Sequence, residues 1–364
     1  MSEKLYHTAS APFEAARRVT ILPATHRSHN LHGHSFMARI RAELPPDWEP
    51  FPGAEAETLA EALKTVISAL DYSLLNDRIE PPTDENLARW VWKNLDVPGL
   101  ESVGIQSTRD QGADLNGRDH AHIWRRFRFE AAHRLPNVAQ DHPCGRMHGH
   151  GFEVILHAHQ NLRHSDMGVD FDHLQQVWNP FHDLLHHRCL NELPGLENPT
   201  SEMLSAWIWQ RLRPKLPELS WVSVYETVSA GCHFDGHHYR IWKEQRFEAA
   251  LRLARSPAND PRQVLHGHSY LLRLHLSAPL NTVMGWTVDY GDVKRLFHPL
   301  YAQLDHNHLN EVQGMADADL KSLLYWIRSG MTDRLAQLDR IDLYDIPGRG
   351  AMLCWGNAGP VLPG

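Results

Sequence analysis

Cysteine is scarce in this chain: Cys144, Cys189, Cys232 and Cys354 are scattered over 364 residues. Four such residues cannot form a disulfide framework, so each is read as a reduced thiol. An excess of cationic residues is also missing. With a formal net charge of -8 and no basic block, the chain lacks the electrostatic footprint that binds nucleic acid. No run approaches the roughly 20 apolar residues of a membrane span, and the first eighteen residues have no signal-peptide core. A cytoplasmic protein with no membrane or nucleic-acid partner is expected, and a small polyanionic substrate remains possible.

What is abundant is histidine, 27 residues of it, which makes any one His-X-His weak evidence. Recurrence is the better test. His-Gly-His occurs at His32 to His34, His148 to His150 and His266 to His268, spaced by 116 and 118 residues. Phe-Glu-Ala-Ala begins at Phe13, Phe129 and Phe247, and a Leu-Asn pair ends at Asn76, Asn191 and Asn310. Three tandem repeats are expected, over residues 1–125, 126–244 and 245–364.

In the middle repeat, Phe127, Phe129, Ala131 and His133 alternate with polar residues, and alternation resumes from Phe152, so two strands open the unit. Leu174, Trp178, Phe181 and Leu185, then Leu204, Trp207, Ile208 and Leu212, fall at helical spacing. Residues 221–227 and 238–242 read as a closing hairpin, giving the order ββααββ. At both junctions, Ile123-Trp124 and Ile241-Trp242 run into the next repeat without a flexible linker. Twelve strands could then close a barrel with no exposed edge; three separate sandwiches are the alternative.

His148 and His150 share one face of a strand, and His133 ends the preceding strand, so three imidazoles can converge. Three histidines with an open fourth position suit catalytic zinc. Cys144, four residues before His148, would become a nucleophile or base beside a cation.

These residues, with Val169-Asp170-Phe171, Asn198-Pro199-Thr200, Glu202 and Tyr225-Glu226-Thr227, resemble the 6-pyruvoyl-tetrahydropterin synthase superfamily over the whole middle repeat. The three residues between Cys144 and His148 are similar to the bacterial 6-carboxy-tetrahydropterin synthases of queuosine biosynthesis. The resemblance implies an α+β T-fold, with three ββααββ units forming a pseudo-trimeric antiparallel barrel and helices outside. It implies zinc on His133, His148 and His150, proton transfer by Cys144, and pterin anchoring by Glu226, whose carboxylate suits paired N–H donors. Thr200 and Glu202 match a segment lining the pterin pocket.

Relatives carry an Asp-His pair that assists the cysteine. The middle repeat has His186-His187 there and the first Asp71-Tyr72, whereas the third keeps Asp305-His306. Arg17 and Leu251 replace the first zinc histidine, Ser28 and Arg262 the cysteine, and Gln106 and Asp345 are read at the anchor position. Active sites of the family lie between subunits. A composite site is therefore expected, combining His133, Cys144, His148, His150 and Glu226 of the middle repeat with Asp305 and His306 of the third; His187 is counted among the catalytic residues as well. The implied activity is a zinc-dependent lyase acting on 7,8-dihydroneopterin triphosphate to give 6-carboxy-tetrahydropterin. Alternatives are 6-pyruvoyl-tetrahydropterin formation, another pterin side-chain cleavage, or a non-catalytic pterin binder or scaffold. Two chains stacked as a homodimer would match the family's hexamer.

Overall fold

The computed structural model describes residues 3–117, 120–163, 165–315, 317–356 and 359–360. Three successive units share one element order. The first holds β1 (Lys4–Arg17), β2 (His32–Ala42), α1 (Glu55–Ile67), β3 (Ser73–Leu74), α2 (Asp84–Asn94), β4 (Leu100–Thr108) and β5 (Gln111–Leu115). The second holds β6 (His120–His133), β7 (His148–Asn161), α3 (Phe171–Leu185), β8 (Arg188–Cys189), α4 (Ser201–Leu212), β9 (Leu219–Thr227) and β10 (Ala230–Phe234). The third holds β11 (Tyr239–Leu251), β12 (His266–Ser277), α5 (Tyr290–Leu304), β13 (Asn307–His308), α6 (Leu320–Met331), β14 (Leu338–Ile346) and β15 (Arg349–Cys354). No helix among the described residues is long and apolar enough to cross a membrane.

Twelve strands close into one antiparallel ring, because β5 pairs with β6, β10 with β11 and β15 with β1. Among the described residues, every strand of the ring has a partner on both sides, so closure leaves no open sheet edge. The two-residue strands β3, β8 and β13 lie parallel to β1, β6 and β11. Residues 125 and 126 both lie within β6, and 244 and 245 within β11, so the chain passes between repeats inside unbroken strands.

Period-two alternation sorts each strand into two faces. On β6, Phe129 and Ala131 pack with Trp178, Phe181 and Leu185 of α3 and Leu204 and Ile208 of α4. The helix residues recur every three or four positions, and Asp170 caps α3 by accepting from the His173 N–H at 2.7 Å. Each such side chain contributes about 1.5–3 kcal/mol by leaving water. The opposite face, enclosed by the ring, buries polar groups such as His157, His233, Arg273 and His275. Asp342 joins two of these groups: both Arg340 and Asp342 are buried, with Nε to Oδ1 and Nη2 to Oδ2 each 2.7 Å, and His275 Nε2 is 3.1 Å from Asp342 Oδ2.

The expected closing hairpin needs correction. The partner of β9 is β10, whereas His238 precedes β11 and residues 239–242 open that strand of the third unit. All five residues of β10 are buried, so Ala230-Gly231-Cys232-His233-Phe234 shows none of the alternation that marks a half-buried strand.

Candidate metal centre

Antiparallel register sets His133 directly opposite His148 at the ends of β6 and β7, and His150 points to the same face as His148. A side chain on the intervening Gly149 would meet the Ala131 carbonyl oxygen at 3.3 Å, which favours glycine there. The three ring centroids lie 4.5, 5.0 and 5.1 Å apart. His133 Nδ1 is 2.9 Å from the Pro199 carbonyl oxygen and His148 Nδ1 is 2.7 Å from that of Arg146. A carbonyl only accepts, so both rings carry their proton on Nδ1 and turn an Nε2 lone pair inward. Burial pushes His133 down to about 4 and lowers His150 as well, which keeps these rings neutral.

Glu226, near the end of β9, completes the group. Its Oε1 is 3.6 Å from His150 Nε2 and 3.9 Å from His133 Nε2, and one ligand atom from each of the four residues lies within 4.8 Å of the others. Burial and the carboxylate of Glu202 push Glu226 up to about 7. The buried Nε2 atoms of His133 and His150 have no hydrogen-bond partner. Neutral imidazoles with orphaned, converging lone pairs beside a carboxylate fit a divalent cation of the zinc type.

Cys144 sits in the short turn Pro143–Gly145, half-buried. Its N–H donates to His142 Nδ1 at 3.2 Å, and His142 Nε2 lies 3.1 Å from Asp289 Oδ2 of the third unit. Burial, with Glu226 and Asp289 nearby, holds the thiol above its ordinary range.

The two units interlock here. Thr200 caps α4, accepting from the Met203 N–H at 3.1 Å, and its hydroxyl donates to the Gly285 carbonyl. Glu202 is buried and accepts from the Thr287 N–H at 2.8 Å and hydroxyl at 3.1 Å; Ser201 Oγ is 2.7 Å from the Tyr290 hydroxyl. Both residues expected to line a pocket thus hold the seam. Lys243 lies close enough to Glu226 and Lys294 for their charges to act on its ammonium.

Asp305 and His306 group with Glu248 in the third unit, their ligand atoms within 4.8 Å. Asp305 Oδ1 accepts from the Glu248 N–H at 3.1 Å, as Asp71 does from Glu14 at 2.8 Å. His186 Nδ1 performs the same task for the Glu130 N–H at 3.1 Å, so histidine substitutes for aspartate without loss of the turn. The next residues, Tyr72, His187 and His306, all have positive φ, at 50°, 56° and 55°. His187 Nε2 is 3.2 Å from Glu130 Oε2, and both side chains are exposed.

Arg17 and Leu251 do occupy the His133 position, facing His32 and His266. The anchor assignment in the first unit is corrected by register. Gln106 pairs with Met37 as Tyr225 pairs with Glu153, which gives Ser107 the same rank as Glu226 and Asp345. Sequence reasoning passed over His142, Lys243 and Asp289. Asp289 was recoverable, because Val288-Asp289-Tyr290 parallels Val169-Asp170-Phe171.

Comparison with known proteins follows the same three units. The family described as 6-pyruvoyl tetrahydropterin synthase matches residues 6–116, 122–237 and 240–353. A 6-carboxy-5,6,7,8-tetrahydropterin synthase of Synechocystis is 36% identical over 119 residues, 31% of this chain and 91% of that protein. A dihydroneopterin monophosphate aldolase of Pyrococcus furiosus is 30% identical over 118 residues, 32% of this chain and 97% of that protein. The solved 6-pyruvoyl tetrahydropterin synthase of Caenorhabditis elegans is 16% identical, covering 32% of this chain and 95% of its own, with a TM-score of 0.30. With three consecutive matches spanning nearly its whole length, the chain belongs to the 6-pyruvoyl tetrahydropterin synthase family.

Proposed function

We propose that this chain is a zinc-dependent lyase that converts 7,8-dihydroneopterin triphosphate and one water to 6-carboxy-5,6,7,8-tetrahydropterin, releasing triphosphate and acetaldehyde. The observation that carries this reading is the convergence of the His133, His148 and His150 side chains, with the Nδ1 protons of His133 and His148 tied to backbone carbonyls, beside the Cys144 turn. When bound, zinc would polarise the substrate's side-chain hydroxyls and oppose the carboxylates that hold the Cys144 thiol up.

The remaining roles belong to the chain itself. Cys144 moves a proton on the substrate side chain, with Asp305, His306 and His187 as its proposed assistants. Glu226 anchors the pterin's guanidine-like edge, and Thr200 and Glu202 hold the pocket wall by fixing the seam. Lys243 and Lys294 supply positive charge for the phosphates, Lys243 fixed by donating to Ser229 Oγ at 2.9 Å. Repeats over 1–125, 126–244 and 245–364 would make the ring a pseudo-trimer, one chain supplying what relatives build from three subunits. Two chains stacked as a homodimer complete the assembly, and a solution mass near one chain would overturn that last point.

The similarity to a dihydroneopterin monophosphate aldolase favours a second reading, cleavage of another pterin side chain. The decisive experiment incubates zinc-loaded protein with dihydroneopterin triphosphate and identifies products by mass. 6-Carboxy-tetrahydropterin supports the first reading, 6-pyruvoyl-tetrahydropterin or a cleaved 6-hydroxymethyl pterin supports the alternatives, and unchanged substrate leaves a binder or scaffold.

A further inference from the structure

A second group of histidines lies at the opposite mouth of the ring. His120-Ala121-His122 and His157-Ala158-His159 are His-X-His pairs outside the recurring motif, one at the start of β6 and one near the end of β7. Ala121, Ile123, Leu156 and Ala158 pack toward the helices, so period-two alternation turns His120, His122 and His159 to the ring's inner side. Register sets His122 directly opposite His159. The ring centroids of His122 and His159 are 5.1 Å apart, and those of His120 and His159 are 5.6 Å apart. This repeats the plan of the His133 cluster from the other end of the same hairpin, with one directly opposed pair and a third imidazole two residues along a strand. At a strand's rise, about 36 Å of β6 separates His122 from His133.

The tautomer at His122 is fixed. Ser220 Oγ donates to the His157 carbonyl oxygen at 3.1 Å and lies 3.1 Å from His122 Nδ1. With its one proton committed, that hydroxyl accepts, so His122 carries its proton on Nδ1 and keeps a bare Nε2 lone pair. Burial pushes His122 down to about 4 and lowers His159 as well, which keeps both rings neutral at pH 7. His120 and His159 are exposed and make no side-chain hydrogen bond among the described residues. Their rings can turn toward an ion shared with His122.

The other units do not repeat this arrangement. Seven residues before each Phe-Glu-Ala-Ala stand Tyr6, His122 and Arg240. Arg240 faces Ser277 as His122 faces His159, and its Nε donates to Ser277 Oγ at 3.1 Å while Nη2 lies 2.6 Å from Asp339 Oδ2. A guanidinium has no lone pair to give. Tyr6 is buried and carries no imidazole.

We infer that His120, His122 and His159 form a second, exchangeable binding site for a divalent transition metal of the nickel or copper type, at the mouth of the ring opposite the His133 cluster. Imidazole nitrogens suit these ions rather than magnesium or calcium. Because two of the three rings are exposed, the ion exchanges with solvent, whereas the enclosed His133 cluster retains its own.

Calorimetric titration of the zinc-loaded chain with nickel(II) chloride tests this, since zinc keeps the His133 cluster filled. One nickel per chain is expected. His159→Ala removes an exposed side chain and leaves the fold undisturbed. It should weaken nickel binding about tenfold or more, as should His122→Gln. His266→Ala with His268→Ala, at the third unit's His-Gly-His, should leave the affinity unchanged. A difference map collected between the nickel and zinc absorption edges, where nickel is the stronger anomalous scatterer, should place the ion at His122 Nε2. No bound nickel, a loss of less than about tenfold in His159→Ala, an equal loss in the His266→Ala, His268→Ala chain, or a peak at another histidine pair in place of this one would overturn the inference.

Discussion

His142 Nε2 lies 3.1 Å from Asp289 Oδ2, while Nδ1 of the same ring accepts the Cys144 N–H at 3.2 Å. Because Nδ1 accepts, the ring proton is on Nε2 and is donated to Asp289. The thiol turn of the second unit is therefore fixed by a carboxylate of the third. His142→Ala and Asp289→Asn should each lower kcat about tenfold or more through misplacement of the thiol, with metal content unchanged. Steady-state rates and metal analysis on the same preparations check this, and wild-type kcat in both variants would exclude a positioning role.

The proposed contribution of the third unit to proton transfer rests on His306. Its φ of 55° suits asparagine as well as histidine, so His306→Asn keeps the backbone while removing the imidazole. Turnover should be abolished and bound metal should stay near one per chain. Unchanged turnover would remove Asp305 and His306 from the site and leave them as the turn that receives the Glu248 N–H.

Arg17 and Asp84 form an ion pair whose side chains are 5% and 0% exposed. Breaking such a pair strands a buried charge and costs about 3–5 kcal/mol. Asp84→Ala should lower the denaturation midpoint accordingly, whereas Arg17→Met with Asp84→Leu should recover most of the loss. Equal destabilisation in both variants would show that packing, rather than the stranded guanidinium, sets the cost.

Inside the ring, burial pushes His157 and His275 down to about 3, from an ordinary 6.5. Below about pH 6.5 the unfolded chain takes up these protons and the folded chain does not, so stability falls as pH drops from 6.5 toward 3. Each histidine contributes a slope of up to about 1.4 kcal/mol per pH unit. Glu85, pushed up to about 7 by burial, acts in the opposite sense between pH 7 and 4.5. Urea unfolding at pH 7 and pH 5 should show a steeper loss for the native chain than for His157→Gln; equal slopes would contradict the assignment.

Much of this architecture was legible before any coordinates. The spacing of His32, His148 and His266 gave three units, and the unlinked junctions at Trp124 and Trp242 implied strand-to-strand fusion. What escaped was physical in origin. β10 is buried on both faces, so it carries no period-two signal, and its place was given to residues that begin β11. The rank of Ser107 needed strand register, which sequence alone leaves open. The roles of Thr200 and Glu202 at the seam depend on Gly285 and Thr287, residues more than eighty positions away. Contacts between units arise from ring closure, which no local pattern encodes.

Anomalous scattering at the zinc edge from crystals of the metal-loaded chain tests the central claim most directly. The account predicts one strong peak per chain, about 2.0–2.1 Å from the Nε2 atoms of His133, His148 and His150, and its disappearance in His148→Ala. Peaks of equal height beside His34 or His268, or a single peak at Glu248, Asp305 and His306, would contradict it.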